Sequence, residues 1–237
     1  MTSALADGTI TGGLSADQIV QKAKETYATL ASYSDEGQIV DPVGGATTRF
    51  TTVLTRPNLY RIEWEQHDES LKGRDRFAVQ TVWSTGAGNF LQIGLGSQWQ
   101  PDRETALANA ASPSGGAVTI VPMTFFNMKW PDTLDNSEGS WVLERNEPTD
   151  GVDCYVVTRN SRGHSTTLWI GKTDSLIRQA KTDISREAIQ SAAASVDAEL
   201  ARHLHGFTLV ETHTNIVVNH GYLRSDFTPS SYTFGIE

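Results

Sequence analysis

The side chains able to do chemistry are few and poorly spaced for it. His203 and His205 stand two apart, followed by His213 and His220. A zinc site uses ligands at i and i+4 of a helix or in tight Cys/His pairs. Neither spacing occurs, so these histidines read as exposed loop residues. Cys154 is the single cysteine, which leaves no second thiol for a metal or an intramolecular disulfide. Gly163-His164-Ser165 sets a histidine beside a serine, but neighbours on a strand point to opposite faces and cannot work as base and nucleophile. There is no Gly-x-Ser-x-Gly elbow. Gly86-Ala87-Gly88 and Gly94-Leu95-Gly96 lack the third glycine and the following helix of a phosphate cradle. Glu63 and Glu65 share the polar side of one strand, where they solubilise. The residues predict a protein that is not an enzyme and that carries no metal or cofactor.

The elements that must position any other site are legible in the patterning. Ser15 is a plausible N-cap for a helix to about Ala31, with Ile19, Ala23, Tyr27 and Leu30 on one face. Period-two alternation then dominates: Phe50-Thr52-Leu54, Tyr60-Ile62-Trp64, Phe77-Val79-Thr81-Trp83, Trp141-Leu143, Tyr155-Val157, Leu168-Ile170, Phe207-Leu209 and Ile216-Val218. Turn signals at Arg56-Pro57-Asn58, Thr85-Gly86, Thr149-Asp150-Gly151, Ser161-Arg162-Gly163 and Lys172-Thr173-Asp174 make these a meander of hairpins. Two helical stretches interrupt it. Arg103 to Trp130 breaks at Ser112-Pro113-Ser114-Gly115-Gly116 and resumes with Pro122 as a first helical residue. Ser185 to Leu204 carries a stripe of Ile189, Val196, Leu200 and Leu204.

Each strand has one apolar and one polar side, and the helices have apolar faces that need a partner. The predicted fold class is α+β: a curved antiparallel sheet, or half-barrel, covered on one face by three or four helices. Residues 1–14 read as a flexible lead-in and residues 15–237 as one domain. With 237 residues the chain is long enough to bury roughly 70–75% of its unfolded surface. Its net charge of −9, with the basic residues scattered singly, argues against a nucleic-acid partner. The most apolar stretch, Thr119 to Trp130, is too short and too interrupted to span a bilayer. Ala4-Leu5-Ala6 has the small-x-small form of a signal-peptidase site, consistent with a removed leader, although no apolar run precedes it.

Strand parity places Tyr60, Ile62, Trp64, Phe77, Val79, Trp83 and Trp141 on the inner face. They either interdigitate with the helices into a solid core or line a hollow beneath them. Met123, Phe126 and Trp130 share one helix face, as a plug or as an adaptable apolar lid. These ten residues are the candidate lipid contacts. Arg56, flanking the Tyr60 strand, is the candidate for a lipid head group.

The chain also resembles a known family. The resemblance is carried by Tyr33-Ser34-Asp35-Glu36-Gly37, Arg56-Pro57-Asn58-Leu59-Tyr60-Arg61-Ile62-Glu63-Trp64, Val82-Trp83-Ser84-Thr85-Gly86, Gly151-Val152-Asp153-Cys154-Tyr155-Val156-Val157 and Thr167-Leu168-Trp169-Ile170-Gly171-Lys172. In this order and spacing they look like the LolA-like outer-membrane lipoprotein-sorting proteins. The resemblance implies a periplasmic half-barrel with a helical lid over an apolar cavity for lipid or lipoprotein acyl chains, without catalytic residues. A carrier of outer-membrane lipoproteins is the first functional expectation. A lipid-sensing regulator that docks an envelope membrane protein is the second, and an enzyme recruited onto the same fold the third.

Overall fold

A computed structural model describes residues 13–68, 79–94, 96–129, 134, 139–161, 163–194 and 204–229. Helix α1 (Ala16–Thr29) precedes six strands: β1 (Ser32–Val40), β2 (Ala46–Thr55), β3 (Leu59–Asp68), β4 (Gln80–Thr85), β5 (Asn89–Ile93) and β6 (Gly96–Gln100). Helices α2 (Arg103–Ala111) and α3 (Ile120–Phe125) follow, then β7 (Trp141–Thr149), β8 (Val152–Ser161), β9 (His164–Gly171), β10 (Ile177–Ile184), α4 (Arg186–Ala194) and β11 (Phe207–Val218).

Local rules explain most of these elements. Ser15 and Gln18 form a reciprocal capping box at the start of α1, the side chain of each accepting from the other's backbone N–H. Ile19, Ala23, Tyr27 and Leu30 are buried, as the helical spacing predicts. Asp150 and Gly151 both take positive φ, the backbone of a two-residue hairpin turn whose twist suits the strands it joins. Helix α3 begins two residues before Pro122, so the proline sits inside its first turn rather than at its first position. The lead-in over residues 1–12, and the far half of the predicted Ser185 to Leu204 helix, lie outside the described residues.

Among the described residues all eleven strands form a single antiparallel sheet in the order β6-β5-β4-β3-β2-β1-β11-β10-β9-β8-β7. Two meanders meet where β1 pairs with β11, and the chain's long-range closure rests on that pairing. Laid flat, eleven strands would span about 48 Å. Helices α1, α2 and α3 are each about 10 Å across and cannot cover such a width. The sheet therefore curls around them, giving the predicted half-barrel. On the concave side α2 packs against β4–β6, α3 against β2 and α1, and α1 against β7 and β8. No helix of the described residues is long and apolar enough to cross a membrane.

The register corrects one strand. Tyr60, Ile62 and Trp64 pair with Ser84, Val82 and Gln80, so the even-numbered residues of β4 face inward. Val82 is fully buried there. Trp83 instead points to the convex side, where it stacks on Phe90 with ring centroids 5.3 Å apart. Phe90 in turn pairs with the exposed Trp99 of β6. Alternation alone sets the period and not the side, and the aromatic residues of β4–β6 serve as a cross-strand ladder on the outer face.

Candidate binding cavity

The concave face is packed solid at one end and hollow at the other. At the solid end Tyr27, Tyr33, Leu54, Tyr60, Ile62 and Trp64 are almost completely buried. Met123 and Phe126 of the α3 region join them. Phe126 meets Tyr60 edge to face at 5.9 Å, and the Arg103 guanidinium lies over its ring at 4.3 Å. The Tyr60 hydroxyl donates to Asn89 Oδ1 at 2.9 Å, and burial raises its pKa above the ordinary phenol value. These candidate contacts are thus brought together, but as core.

The others fall elsewhere. Trp141 is on the concave face at the start of β7, half-buried beneath the Arg159 guanidinium at 4.6 Å. Val79 is half-buried just before β4. Phe77 and Trp130 lie outside the described residues.

Arg56 sits where two helices end. Its Nε donates to Leu30 O at 3.0 Å and its Nη2 to Tyr27 O at 3.2 Å and to Phe125 O, so one guanidinium ties together the ends of α1 and α3. It also lies over the Phe125 ring at 4.7 Å. Carbonyls at helix C-termini lack intrahelical donors, and a cation there is favourable. Arg56→Met is therefore expected to lower stability by about 1–3 kcal/mol in chemical denaturation and to leave the head-group preference of any bound lipid unchanged. A changed preference would return Arg56 to the binding site.

The hollow end holds a cavity of about 720 Å³. It opens one row further along the strands. The row of Trp64 and Phe50 is bulky. The next row runs Gln66, Thr48, Ile39, Glu211, Ala180 across β3, β2, β1, β11 and β10. Opposite them, the end of α2 and the α2–α3 connection present Ala111, Ser112, Gly115 and Gly116. Thr48 and Ala180 on one wall and the glycines on the other are too short to fill the space between them. The connection is pinned in place by Trp64 Nε1 and Gln66 Nε2, which both donate to Pro113 O, at 2.9 and 2.8 Å.

Ile184, Phe207 and Leu209 extend the apolar wall, while the exposed Ala46, Ser112 and His164 form a rim. A second cavity of about 520 Å³ adjoins it through His164, Ile184 and Phe207. Among the described residues, none of those expected from the sequence to touch lipid lines the larger cavity.

Beside the cavity floor sits a group that the sequence reading did not find. His213 is buried, with Nδ1 at 2.6 Å from Asp35 Oδ2 and Nε2 at 3.3 Å from Glu211 Oε1. The Tyr33 hydroxyl donates to the same Asp35 oxygen at 2.8 Å. Burial alone would lower the imidazole pKa, but Glu211 and Asp35 together outweigh it and push it up to about 10. His213 is thus a buried cation in a strand, not an exposed loop residue. Gly37 makes the arrangement possible. A Cβ there would meet Phe50 Cζ at 2.2 Å, because the Phe50 ring crosses the glycine to meet His213 edge-on.

The pattern Tyr33-x-Asp35 alternating into a strand was the available signal. It is weak, because its partners lie 178 residues away. Asp35 and Glu211 flank opposite sides of the ring, and among the described residues no three His, Cys, Asp or Glu side chains converge to hold a metal ion.

No protein-family model matches the chain, and no curated protein matches it. Among solved structures it is similar to the lipoprotein LppX of Mycobacterium tuberculosis, at 11% identity over 87% of this chain and 96% of that one, with a TM-score of 0.46. It is similar to LprF from Mycobacterium bovis, at 10% identity over 88% and 94%, with a TM-score of 0.46. A LolA superfamily protein from Nitrosomonas europaea is also among the neighbours. There the identity is 14% over 92% of this chain and 99% of that one, with a TM-score of 0.34.

Proposed function

We propose that the protein is a lipid-binding module of the periplasm that holds an apolar chain in the cavity between β9–β11, β1–β3 and the α2–α3 connection. The cavity itself carries this reading. Its volume lies within the range of about 300–1,000 Å³ in which pockets enclose small ligands. Ile39, Ile120, Ile184, Phe207 and Leu209 supply apolar wall on facing sides. The resemblance of the sequence to the LolA-like proteins supports the periplasmic setting and the acyl chain, and with them a carrier role for lipoproteins or free lipids.

The magnitude is adequate. Each methylene removed from water contributes about 0.8 kcal/mol, so a ten-carbon chain gains on the order of 8 kcal/mol before its ordering cost. That leaves a Kd expected below about 100 μM for decanol by calorimetry, and longer chains should survive purification as adducts in native mass spectrometry. Ala180→Phe puts a ring into the hollow from the floor and is expected to abolish decanol binding while the chain still folds. Binding that is unchanged by Ala180→Phe, or absent from the unaltered protein, would refute the proposal.

A further inference from the structure

The floor of the cavity is not apolar throughout. Phe207, Leu209 and Glu211 alternate along β11 on the concave face, so the wall runs about 14 Å from the rim and ends at a carboxylate. Across β10 the same steps are matched by Ile184, Thr182 and Ala180. Glu211 is only 5% exposed, and it lines the cavity.

The charges around Glu211 do not balance. Asp35 accepts at Oδ2 from the Tyr33 hydroxyl and lies against His213 Nδ1. Glu211 has only the 3.3 Å ion pair with His213 Nε2, which lacks the alignment of a hydrogen bond, and its Oε1 accepts none. Two carboxylates share one imidazolium, which leaves one net negative charge in a buried place. A carboxylate can accept about four hydrogen bonds. Among the described residues no lysine or arginine lines the cavity, and the titratable groups at its edge are His67, His164 and Asp41.

We infer that Glu211 reads the polar end of the bound molecule: the cavity takes a chain whose leading group is a hydrogen-bond donor, an ammonium best and a hydroxyl next, and rejects one that ends in a carboxylate. The chain lies along Leu209, Phe207 and Ile184 towards the rim, with its donor against Glu211. A charge-assisted hydrogen bond in a site without water is stronger than a neutral one. A carboxylate brought to the same place would face a like charge, with no lysine or arginine of the described cavity lining to offset it. This inference rests on the chain-binding reading above and adds the class of head group to it.

The test is calorimetric titration of the full chain at pH 7 with decylamine, decanol and decanoate, each below its micelle concentration. The expected order is amine, alcohol, acid, with amine ahead of acid by about tenfold or more. Because the whole protein carries a net charge of −9, attraction of amines to its surface is controlled by Ala180→Phe, which should remove amine binding along with the rest. Glu211→Gln is expected to bring amine and acid to within about threefold of each other.

The ranking in the unaltered protein decides the matter even if Glu211→Gln fails to fold. Decanol binding without a preference between amine and acid would overturn the head-group inference and leave the cavity reading standing. Failure of all three to bind would overturn both. A preference that survives Glu211→Gln would show that another group sets it.

Discussion

Replacing His213 by leucine is expected to destabilise the fold by about 3–5 kcal/mol. The substitution removes the cation between Asp35 and Glu211 and leaves two buried carboxylates with no opposite charge. The loss should appear as a lower midpoint in urea, and it should be largely recovered when Asp35→Asn and Glu211→Gln are added. Replacing a whole buried ion group by neutral side chains is often close to neutral, whereas breaking one is costly. An unchanged midpoint for His213→Leu alone would mean that the carboxylates are not held as charges.

The same group makes the protein sensitive to alkali. The folded-state pKa of His213, about 10, lies above the ordinary imidazole value of 6.5, so folding is linked to proton uptake between these two values. The stabilisation is complete below about pH 6.5 and is lost as pH rises through 10, on the order of 5 kcal/mol in all. The groups that face His213 are Asp35, Glu211 and the edge of the Phe50 ring, with Tyr33 one step behind. Burial first, with the nearby Asp35 charge adding to it, also raises the pKa of Tyr27 and Tyr33, so their contribution is present below pH 10 and lost above it, in the same direction. Urea midpoints measured from pH 6 to 10 should fall steadily. For His213→Leu, with the imidazole gone, the curve should be nearly flat until the tyrosines titrate.

The second large effect is expected at the solid end. Trp64→Ala should cost about 3–5 kcal/mol in thermal or chemical unfolding, since it deletes a side chain that is 1% exposed within a packed core. It also removes the indole N–H that holds Pro113 O, one of two donors pinning the turn over the cavity. Trp64→Phe keeps most of the packing and loses only that donor, so it should cost far less. If Trp64→Ala weakened decanol binding without lowering stability, the residue would belong to the binding surface and not to the core.

The contrast between Trp64 and Glu211 marks what can be read without coordinates. Tyr60-Ile62-Trp64 announced both a strand and its buried side, because alternation in a one-sided sheet is local information. Phe207-Leu209 did the same for β11. The next inward residue on that strand, Glu211, was passed over because a charged residue looks solvent-facing until a partner is found for it. Its partner, His213, lies two residues on in the same strand, and Asp35, the other carboxylate on that ring, comes from β1. Trp83 failed for a related reason: the step from residue 69 to 78 carries no periodicity that transmits the side from β3 to β4, so only the cross-strand register with Ile62 and Val82 could assign it.

Composition, helix caps, hairpin turns and strand period were sufficient for the class of fold, since each acts over a few residues and each agrees with the rest. The place of the hollow was another matter. Residues of equal parity on one strand, such as Trp64 and Gln66 or Phe50 and Thr48, share a side and differ only in how far along the strand they sit. Whether that distance brings them under a helix or under the glycines of the α2–α3 connection depends on packing between segments far apart in the chain, and so does the meeting of Asp35, His213 and Glu211.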